Sequence, residues 1–277
     1  MTATRDRTPV TYRAFVKQTP IIDGHAHMGF YRNFHIADND ADGMVKRFDA
    51  VGIDVACVSH HAGISADHQY GNRIVREALR RHPNRLIGFC VINPNYPDTV
   101  RDEIETCFAE PGFRGFKVHP ELHGDYPLDG PGYRKMWRYA DAHRLPVLFH
   151  SYFGGDRLEV FERVAKTYPG ATLLLGHAGL DLGLDNAVAL TERTDNVVLD
   201  MTAMQRHCWA IEHLAARADK TRLTWGSDSP FIDPGLILGA VAHADIPPDV
   251  RTAILYENLA RILRVEIRDG VLTGVSG

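Results

Sequence analysis

Three features that mark other classes of protein are missing from this chain of 277 residues. No apolar run approaches the roughly 18 residues that a membrane-spanning helix needs, so we expect no membrane partner. Positive and negative charges nearly balance, with 31 Lys and Arg against 35 Asp and Glu and a net charge of −4. A basic surface for nucleic acid is therefore not expected. Arg5 and Arg7 lie near the start without an apolar segment after them, so no secretory signal is predicted.

Cysteine is also scarce. The chain has four cysteines, and none of them forms a Cys-x-x-Cys pair: Cys57, Cys90, Cys107 and Cys208. Their wide spacing argues against a disulfide framework and against a zinc site built from thiolates. We therefore predict four buried free thiols in a cytoplasmic protein.

What the sequence does contain is a regular alternation of short apolar runs and amphipathic segments. Eight such runs start 24 to 34 residues apart, at 20–27, 54–60, 85–93, 113–119, 146–151, 172–177, 196–200 and 222–228. This spacing equals one strand plus one crossover helix. Segments with apolar residues on one helical face lie between them, for example 72–82, 97–110 and 157–168.

Strands that are apolar on both faces and alternate with helices indicate a parallel sheet. Eight consecutive units favour a closed (β/α)8 TIM-type barrel over an open sheet. We expect one α/β domain over residues 1–277, with the barrel at about 20–230. A helical tail at about 234–263 is expected to pack outside it.

Titratable side chains accumulate at the predicted C-terminal ends of these strands, where barrels of this type hold their active sites. His25 and His27 are two residues apart, so both side chains point to the same side of a strand. Lys117 and His119 share that relation. Single groups end three further strands: His150, His177 and Asp228. A lone histidine at a strand end is usually satisfied by backbone, whereas three imidazoles and a carboxylate on one frame suit a divalent metal such as zinc.

The same residues lie in motifs that resemble those of the amidohydrolase superfamily. The motifs are Asp23-Gly-His-Ala-His27, Gly115-Phe-Lys-Val-His-Pro120, Leu148-Phe-His150, Leu175-Gly-His-Ala178 and Gly226-Ser-Asp-Ser-Pro230. They are most similar to the amidohydrolase-related branch that contains the aminocarboxymuconate-semialdehyde decarboxylase type. The resemblance runs from about Pro20 to Leu263 and implies a TIM-type barrel with a metal at its mouth.

Carried over by position, the resemblance implies that four residues ligate a divalent metal, most simply one zinc ion: His25, His27, His150 and Asp228. It makes His177 an acid/base or a group that faces the substrate. Lys117 is open to three interpretations. Carboxylated, it would bridge two ions; otherwise it is a cation that binds a substrate carboxylate, or a lysine that reaches solvent.

Two chemistries fit these atoms. The first is hydrolysis of an amide, lactone or ester in a small organic molecule, with Asp228 taking a proton from a metal-activated water and His177 stabilising the oxyanion. The alternative is metal-dependent, non-oxidative decarboxylation of a small carboxylic acid, whether aromatic or not. A barrel that only binds a ligand is disfavoured, because the full set of ligand residues is present.

Substrate contacts are expected from the loops that follow the strands. Arg32 could hold an anionic group, and Tyr152 and His119 could line the pocket. The expected partner is a small molecule rather than nucleic acid, since the strand-four position holds Lys117 and His119 in a slightly acidic protein. The oligomeric state stays open, although a homodimer is the commonest assembly for a barrel of this size.

Overall fold

The computed structural model describes residues 19–32, 34–151 and 158–275. Its main sheet has eight strands, β1 (Ile22–Met28), β2 (Val55–His60), β3 (Leu86–Val91), β4 (Phe113–Val118), β5 (Pro146–His150), β6 (Thr172–Gly176), β7 (Val197–Asp200) and β8 (Leu223–Thr224). Each coincides with a predicted run. All residues of β1, β2 and β3 are buried, as expected for strands of a parallel sheet that is covered on both faces.

The strands pair in chain order, and every pair is parallel. Because β8 is short, the barrel is closed largely by the chain just after it. Gly24 N–H donates to Trp225 O at 3.1 Å, and His27 N–H donates to Ser229 O at 2.7 Å. Asp228 N–H in turn donates to His25 O at 2.7 Å. The predicted (β/α)8 barrel is therefore confirmed.

Helices follow the strands on the outside of the barrel. Within the described residues the α-helices are α1 (Ala41–Val51), α2 (His61–Ser65), α3 (His68–Arg81), α4 (Val100–Phe108), α5 (Arg134–His143), α6 (Leu158–Thr167), α7 (Leu184–Arg193), α8 (Ala210–Arg217), α9 (Pro234–His243), α10 (Pro248–Thr252) and α11 (Asn258–Leu263). Short polar caps fix their ends: the side chain of Asp40 accepts from Gly43 N–H at the start of α1. Gly52, with φ of 80°, ends the same helix.

The C-terminal tail does more than pack against the outer wall. Leu259 and Leu263 of α11 belong to the same buried cluster as Ile22, Val55 and Leu174 from inside the barrel. The end of the tail therefore packs against side chains of the barrel strands. A β-hairpin that the sequence did not predict follows α11. It is formed by β9 (Val265–Arg268) and β10 (Val271–Val275).

Cysteine exposure departs from the sequence prediction at one position. Cys57, Cys90 and Cys107 are buried free thiols as predicted, but Cys208 is exposed. It lies in the turn before α8, next to Trp209, whose side chain is 70% exposed. Among the described residues, none of the helices combines the length and the apolar character needed to cross a bilayer.

Candidate active site

A cavity of about 570 Å³ opens at the C-terminal ends of the strands. Most of the predicted site residues line it: His27, Arg32, His119, His150, His177 and Asp228. His25 and Lys117 are fully buried. Tyr152 lies outside the described residues. The barrel thus brings predicted groups from the ends of five strands to one mouth.

Three donors form what we name the first cluster: His25, His27 and Asp228. Their ligand atoms lie within 4.8 Å of one another. Asp228 Oδ1 is 3.3 Å from His27 Nε2 and 3.8 Å from His25 Nε2. The two imidazole rings stand edge to face with centroids 5.0 Å apart. The carboxylate therefore faces the Nε2 atoms of both histidines.

Buried partners fix the orientation of both rings in the first cluster. His25 Nδ1 is 2.7 Å from Asp200 Oδ2 at the end of β7, and Thr202 Oγ1 donates to the same carboxylate. His27 Nδ1 is 2.7 Å from Ser59 Oγ on β2. With Nδ1 held by these partners, Nε2 of each ring is presented to the cavity side. The sequence motifs do not indicate this role for Asp200.

Hydrogen bonds between β1 and the chain just after β8 hold the backbone that carries the first cluster. Asp23 accepts hydrogen bonds from the backbone N–H of His25 and of Ser227, and from Ser227 Oγ. Burial raises the pKa of Asp23 to about 7, although these hydrogen bonds oppose the shift. Asp228 has a left-handed φ of 60°, an uncommon conformation for a residue with a side chain. These contacts hold the backbone of Asp228 beside β1.

Lys117 lies behind the first cluster. Its Nζ is 2.8 Å from His25 Nε2, and its side chain is 0% exposed, so the interpretation of a lysine reaching solvent does not apply. Burial lowers the pKa of Lys117 to about 8, against the opposing influence of Asp228 and Asp200. The ammonium thus donates to an unprotonated Nε2 of His25, the same atom that a metal would use.

A second cluster faces the first across the cavity and consists of His119, Glu121 and His150. Glu121 Oε2 is 3.6 Å from His119 Nδ1 and 3.6 Å from His150 Nε2. The two imidazole rings are stacked, with centroids 4.0 Å apart and planes 13° apart. His150, which the resemblance places with His25 and His27, therefore groups here with different partners. Glu121 was not anticipated.

His177 connects the two clusters. Its Nε2 is 3.1 Å from His150 Nδ1, and its ring centroid is 5.1 Å from that of His25. Its Nδ1 is 3.3 Å from the backbone oxygen of Thr202. Because a carbonyl oxygen only accepts, Nδ1 carries the proton in this hydrogen bond. With φ of 63°, His177 turns the chain sharply after β6 and directs its ring into the mouth.

The histidines of the mouth are neutral near pH 7. Burial and the charge of Lys117 lower the pKa of His25 well below its ordinary value, and burial does the same for His27 and His150. Burial opposes ionisation of Asp228, but the contact with His27 holds the pKa of that carboxyl well below its usual range. The first cluster therefore offers two neutral imidazoles and one carboxylate.

This donor set fits a divalent ion. Ligands about 2.1 Å from a tetrahedral ion are roughly 3.4 Å from one another, and the observed separations from Asp228 Oδ1 are 3.3 and 3.8 Å. Neutral imidazoles with a carboxylate are typical ligands of zinc and of neighbouring transition metals.

Loop residues give the entrance an aromatic and cationic character. The rings of Tyr31 and Phe231 meet at 5.6 Å, and the Arg32 guanidinium carbon lies 5.3 Å from the Tyr31 centroid. Arg206, after β7, lines the same cavity. The predicted loop residue Arg32 is therefore at the entrance, on an exposed turn.

Comparison with known proteins identifies the family. The profile of the family described as Amidohydrolase matches residues 22–265. This range covers the whole barrel and the helical tail. The chain therefore belongs to the amidohydrolase family, as its motifs indicated.

Individual relatives are more distant. A γ-resorcylate decarboxylase of Rhodococcus jostii RHA1 is 30% identical over 113 residues, which are 38% of this chain and 32% of that protein. A dihydroxybenzoic acid decarboxylase from Polaromonas sp. JS666, solved with bound manganese and the inhibitor 2-nitroresorcinol, is 15% identical with a TM-score of 0.68, covering 88% of this chain and 97% of that one. A probable 2-pyrone-4,6-dicarboxylic acid hydrolase from Acinetobacter baumannii, solved with citric acid, is 16% identical with a TM-score of 0.69, covering 88% and 99%. At these identities the two structures establish a shared fold.

Proposed function

We propose that this protein is a divalent-metal-dependent decarboxylase of a small aromatic carboxylic acid. The observation that carries the proposal is the first cluster, which faces a cavity whose entrance combines aromatic rings in edge-to-face contact with arginines. The curated relative named above supports decarboxylation over hydrolysis, which the sequence alone had placed first. It matches over about a third of its length, so its substrate is a guide to the class rather than to the compound.

The residues of the first cluster would hold the ion through His25 Nε2, His27 Nε2 and a carboxylate oxygen of Asp228. When bound, the ion would supply positive charge next to the substrate oxygens. Zinc is the metal we propose, with manganese the principal rival because a protein of the same fold contains it. Elemental analysis of the purified protein distinguishes the two.

The entrance would recognise a planar anion. Tyr31 and Phe231 offer ring faces and edges to an aromatic substrate, and Arg32 and Arg206 offer cations to its carboxylate. A substrate held in this way would lie in the cavity that Asp228 and His177 also line. The lining therefore suits an aromatic acid better than an aliphatic amide.

The chemical step replaces a carbon–carbon bond with a carbon–hydrogen bond. The electron pair of the bond to the carboxylate stays on the ring carbon, carbon dioxide leaves, and a proton is added to that carbon. Asp228 and His177 are the groups at this position that can carry the proton. His177 keeps one nitrogen on the backbone oxygen of Thr202, so its other nitrogen is the one that exchanges protons on the cavity side.

Decarboxylation and hydrolysis leave different isotopic marks. The metal-loaded protein would be incubated with dihydroxybenzoates, other aromatic carboxylates, lactones and amides, once in D2O and once in 18O-labelled water. We expect release of carbon dioxide and one deuterium on the carbon that lost the carboxylate. Labelled oxygen in the organic product without gas release would instead establish hydrolysis. Asp228→Asn is the inactive reference, and Asp98→Asn, an exposed aspartate outside the barrel mouth, is the matched control.

A further inference from the structure

We infer that His61 is a specificity-determining residue, which accepts a hydrogen bond from a hydroxyl group on the aromatic ring of the substrate. This inference rests on the proposed function and deepens it, because it names a group that the aromatic acid must carry. His61 follows β2 directly and is the first residue of α2. It lines the cavity, although neither the metal site nor the transfer of the proton uses it.

A buried hydrogen bond determines which nitrogen of His61 is available to a substrate. His61 Nδ1 is 2.8 Å from the backbone oxygen of Gly29, and His61 is only 4% exposed. A carbonyl oxygen can only accept, so Nδ1 carries the proton, and the neutral ring then has an unprotonated Nε2. Burial lowers the pKa of His61, against the opposing influence of the bond to Gly29, and this shift favours the neutral ring.

The turn after β1 holds the carbonyl group that orients His61. Gly29 has a φ of 83°, a left-handed value that favours glycine, and its N–H donates to Asn39 O at 2.8 Å. A Cβ atom at Gly29 would lie 2.5 Å from the ring of His60, so a side chain there would displace that ring as well as strain the backbone. The acceptor for His61 Nδ1 is therefore in place before a substrate arrives.

The neighbours of His61 place its ring between the metal site and the entrance. The centroid of the ring is 5.0 Å from that of His27 in the first cluster and 5.2 Å from that of Tyr31 at the entrance. Within the part of the chain that the structure describes, no protein group makes a hydrogen bond to His61 Nε2. With Nδ1 engaged, Nε2 is the polar atom that this ring offers to the cavity.

An acceptor at this position discriminates between substituents of an aromatic acid. The unprotonated Nε2 attracts an O–H group and repels a fluorine or a carboxylate oxygen, which carry only lone pairs. A hydroxyl that donates to Nε2 gains electron density on its oxygen and passes it to the ring carbons ortho and para to it. In a 2- or 4-hydroxybenzoate, one of these is the carbon that loses carbon dioxide and takes up the proton. The same hydrogen bond therefore selects the substrate and favours its protonation.

Paired ligands test the role of His61. The zinc-loaded full-length protein would be titrated calorimetrically at pH 8, where an imidazole of ordinary pKa is also neutral. The ligands are 2- and 4-hydroxybenzoate and the fluorobenzoates substituted at the same positions. For at least one position we expect the ratio of the Kd of the fluoro acid to that of the hydroxy acid to shrink by about tenfold or more in His61→Phe.

Two further variants separate the acceptor from the shape of the ring. His61→Gln keeps a side-chain oxygen that can accept and should recover part of the preference for the hydroxy acid, whereas His243→Phe, an exposed histidine that ends α9, should leave the ratio unchanged. Thermal melting verifies that each variant is folded, and His61→Leu replaces His61→Phe if that variant does not fold.

The same ratio in His61→Phe and in the unmodified protein would overturn the inference, as would failure of the unmodified protein to bind either hydroxy acid. Carbon dioxide is measured in the same samples. Its release with an unchanged ratio in His61→Phe would remove the role of His61 alone. The expected change in ratio without release of carbon dioxide from any aromatic acid would remove the proposed reaction alone.

Discussion

The two donor clusters of the cavity have the same composition but are held differently. In the first cluster, His25 and His27 each have Nδ1 fixed at 2.7 Å by a buried side chain from another strand. In the second cluster, His119 has a long 3.4 Å contact to a turn N–H, and His150 is partly exposed. The first cluster is therefore oriented before any ligand arrives, whereas His119 of the second is held by a longer and weaker contact.

This difference suggests a division of roles. Preoriented ligands hold an ion at a constant position, which is what a reacting group requires. A site that rearranges binds more weakly, because part of the binding free energy orders its side chains. We therefore expect the first cluster to set the rate of the reaction and the second to influence binding.

The largest expected effect is that of Asp228→Asn in the first cluster. The amide keeps the shape of the side chain but removes both the charge and the proton acceptor, so turnover should fall by roughly 1,000-fold or more. Carbon dioxide release under saturating substrate measures this loss, with thermal melting as the check on folding. Turnover within about tenfold of the unmodified protein would exclude Asp228 from the chemistry.

A second prediction concerns the loss of folding stability in acid. It separates the part that comes from a buried histidine outside the clusters from the part that comes from the cluster histidines. His60 lies outside both clusters; its Nδ1 accepts from Ala62 N–H at 3.1 Å, and burial lowers its pKa to about 4. Since the unfolded state binds this proton near pH 6.5 and the folded state near pH 4, stability falls as the pH drops through that window. Across the whole window, protonation of His60 lowers the free energy of unfolding by about 3 kcal/mol.

His60→Asn should flatten this dependence, because asparagine keeps an acceptor for Ala62 N–H and does not titrate. Urea unfolding between pH 4 and pH 7 measures the slope, and His35→Asn, an exposed histidine, serves as the control. An unchanged slope would assign the acid sensitivity to the cluster histidines instead.

The third prediction concerns the partners that hold the first cluster. Asp200→Ala should weaken binding of Mn²⁺ to the first cluster by about 10- to 100-fold, because His25 loses the carboxylate on Nδ1. Ser59→Ala should cost less, since a neutral hydroxyl holds His27. Asp200→Asn keeps an acceptor for His25 and should recover part of the affinity. Equal affinities for all three variants would mean that packing alone positions the two rings.

Much of the barrel was predictable because each strand carries its own signal. Runs of apolar residues between amphipathic segments located all eight strands, and the mouth followed from the rule that such barrels hold their sites at strand ends. His25, His27 and Asp228 could be grouped because a motif marks each of them. Each apolar run and each motif lies within a short segment of sequence, so it can be recognised without knowing which distant residues are in contact.

The missed features depend on contacts between distant residues or on short turns. Asp200 meets His25 across 175 positions of sequence, and periodicity does not report such a contact. Glu121 reaches the cavity only because a 3₁₀ turn reverses the chain after β4. Pro120 directly after His119 is the sequence signal that could have indicated the turn.

The smallest expected effect is that of Glu121→Gln on catalysis. Measured beside Asp228→Asn, this variant compares the second cluster with the first. If the second cluster influences binding and not the chemical step, Glu121→Gln should lower KM for an anionic substrate by up to about tenfold and leave kcat within roughly threefold. Steady-state kinetics at saturating Mn²⁺ measures both constants, and Glu105→Gln, which changes an exposed glutamate on α4, controls for the loss of one carboxylate. Glu121 is the acidic member of the second cluster and lines the cavity, so replacing it with glutamine removes a repulsion of the substrate anion. A fall in kcat comparable to that of Asp228→Asn would place Glu121 among the reacting groups, and the two clusters would then act as a single site.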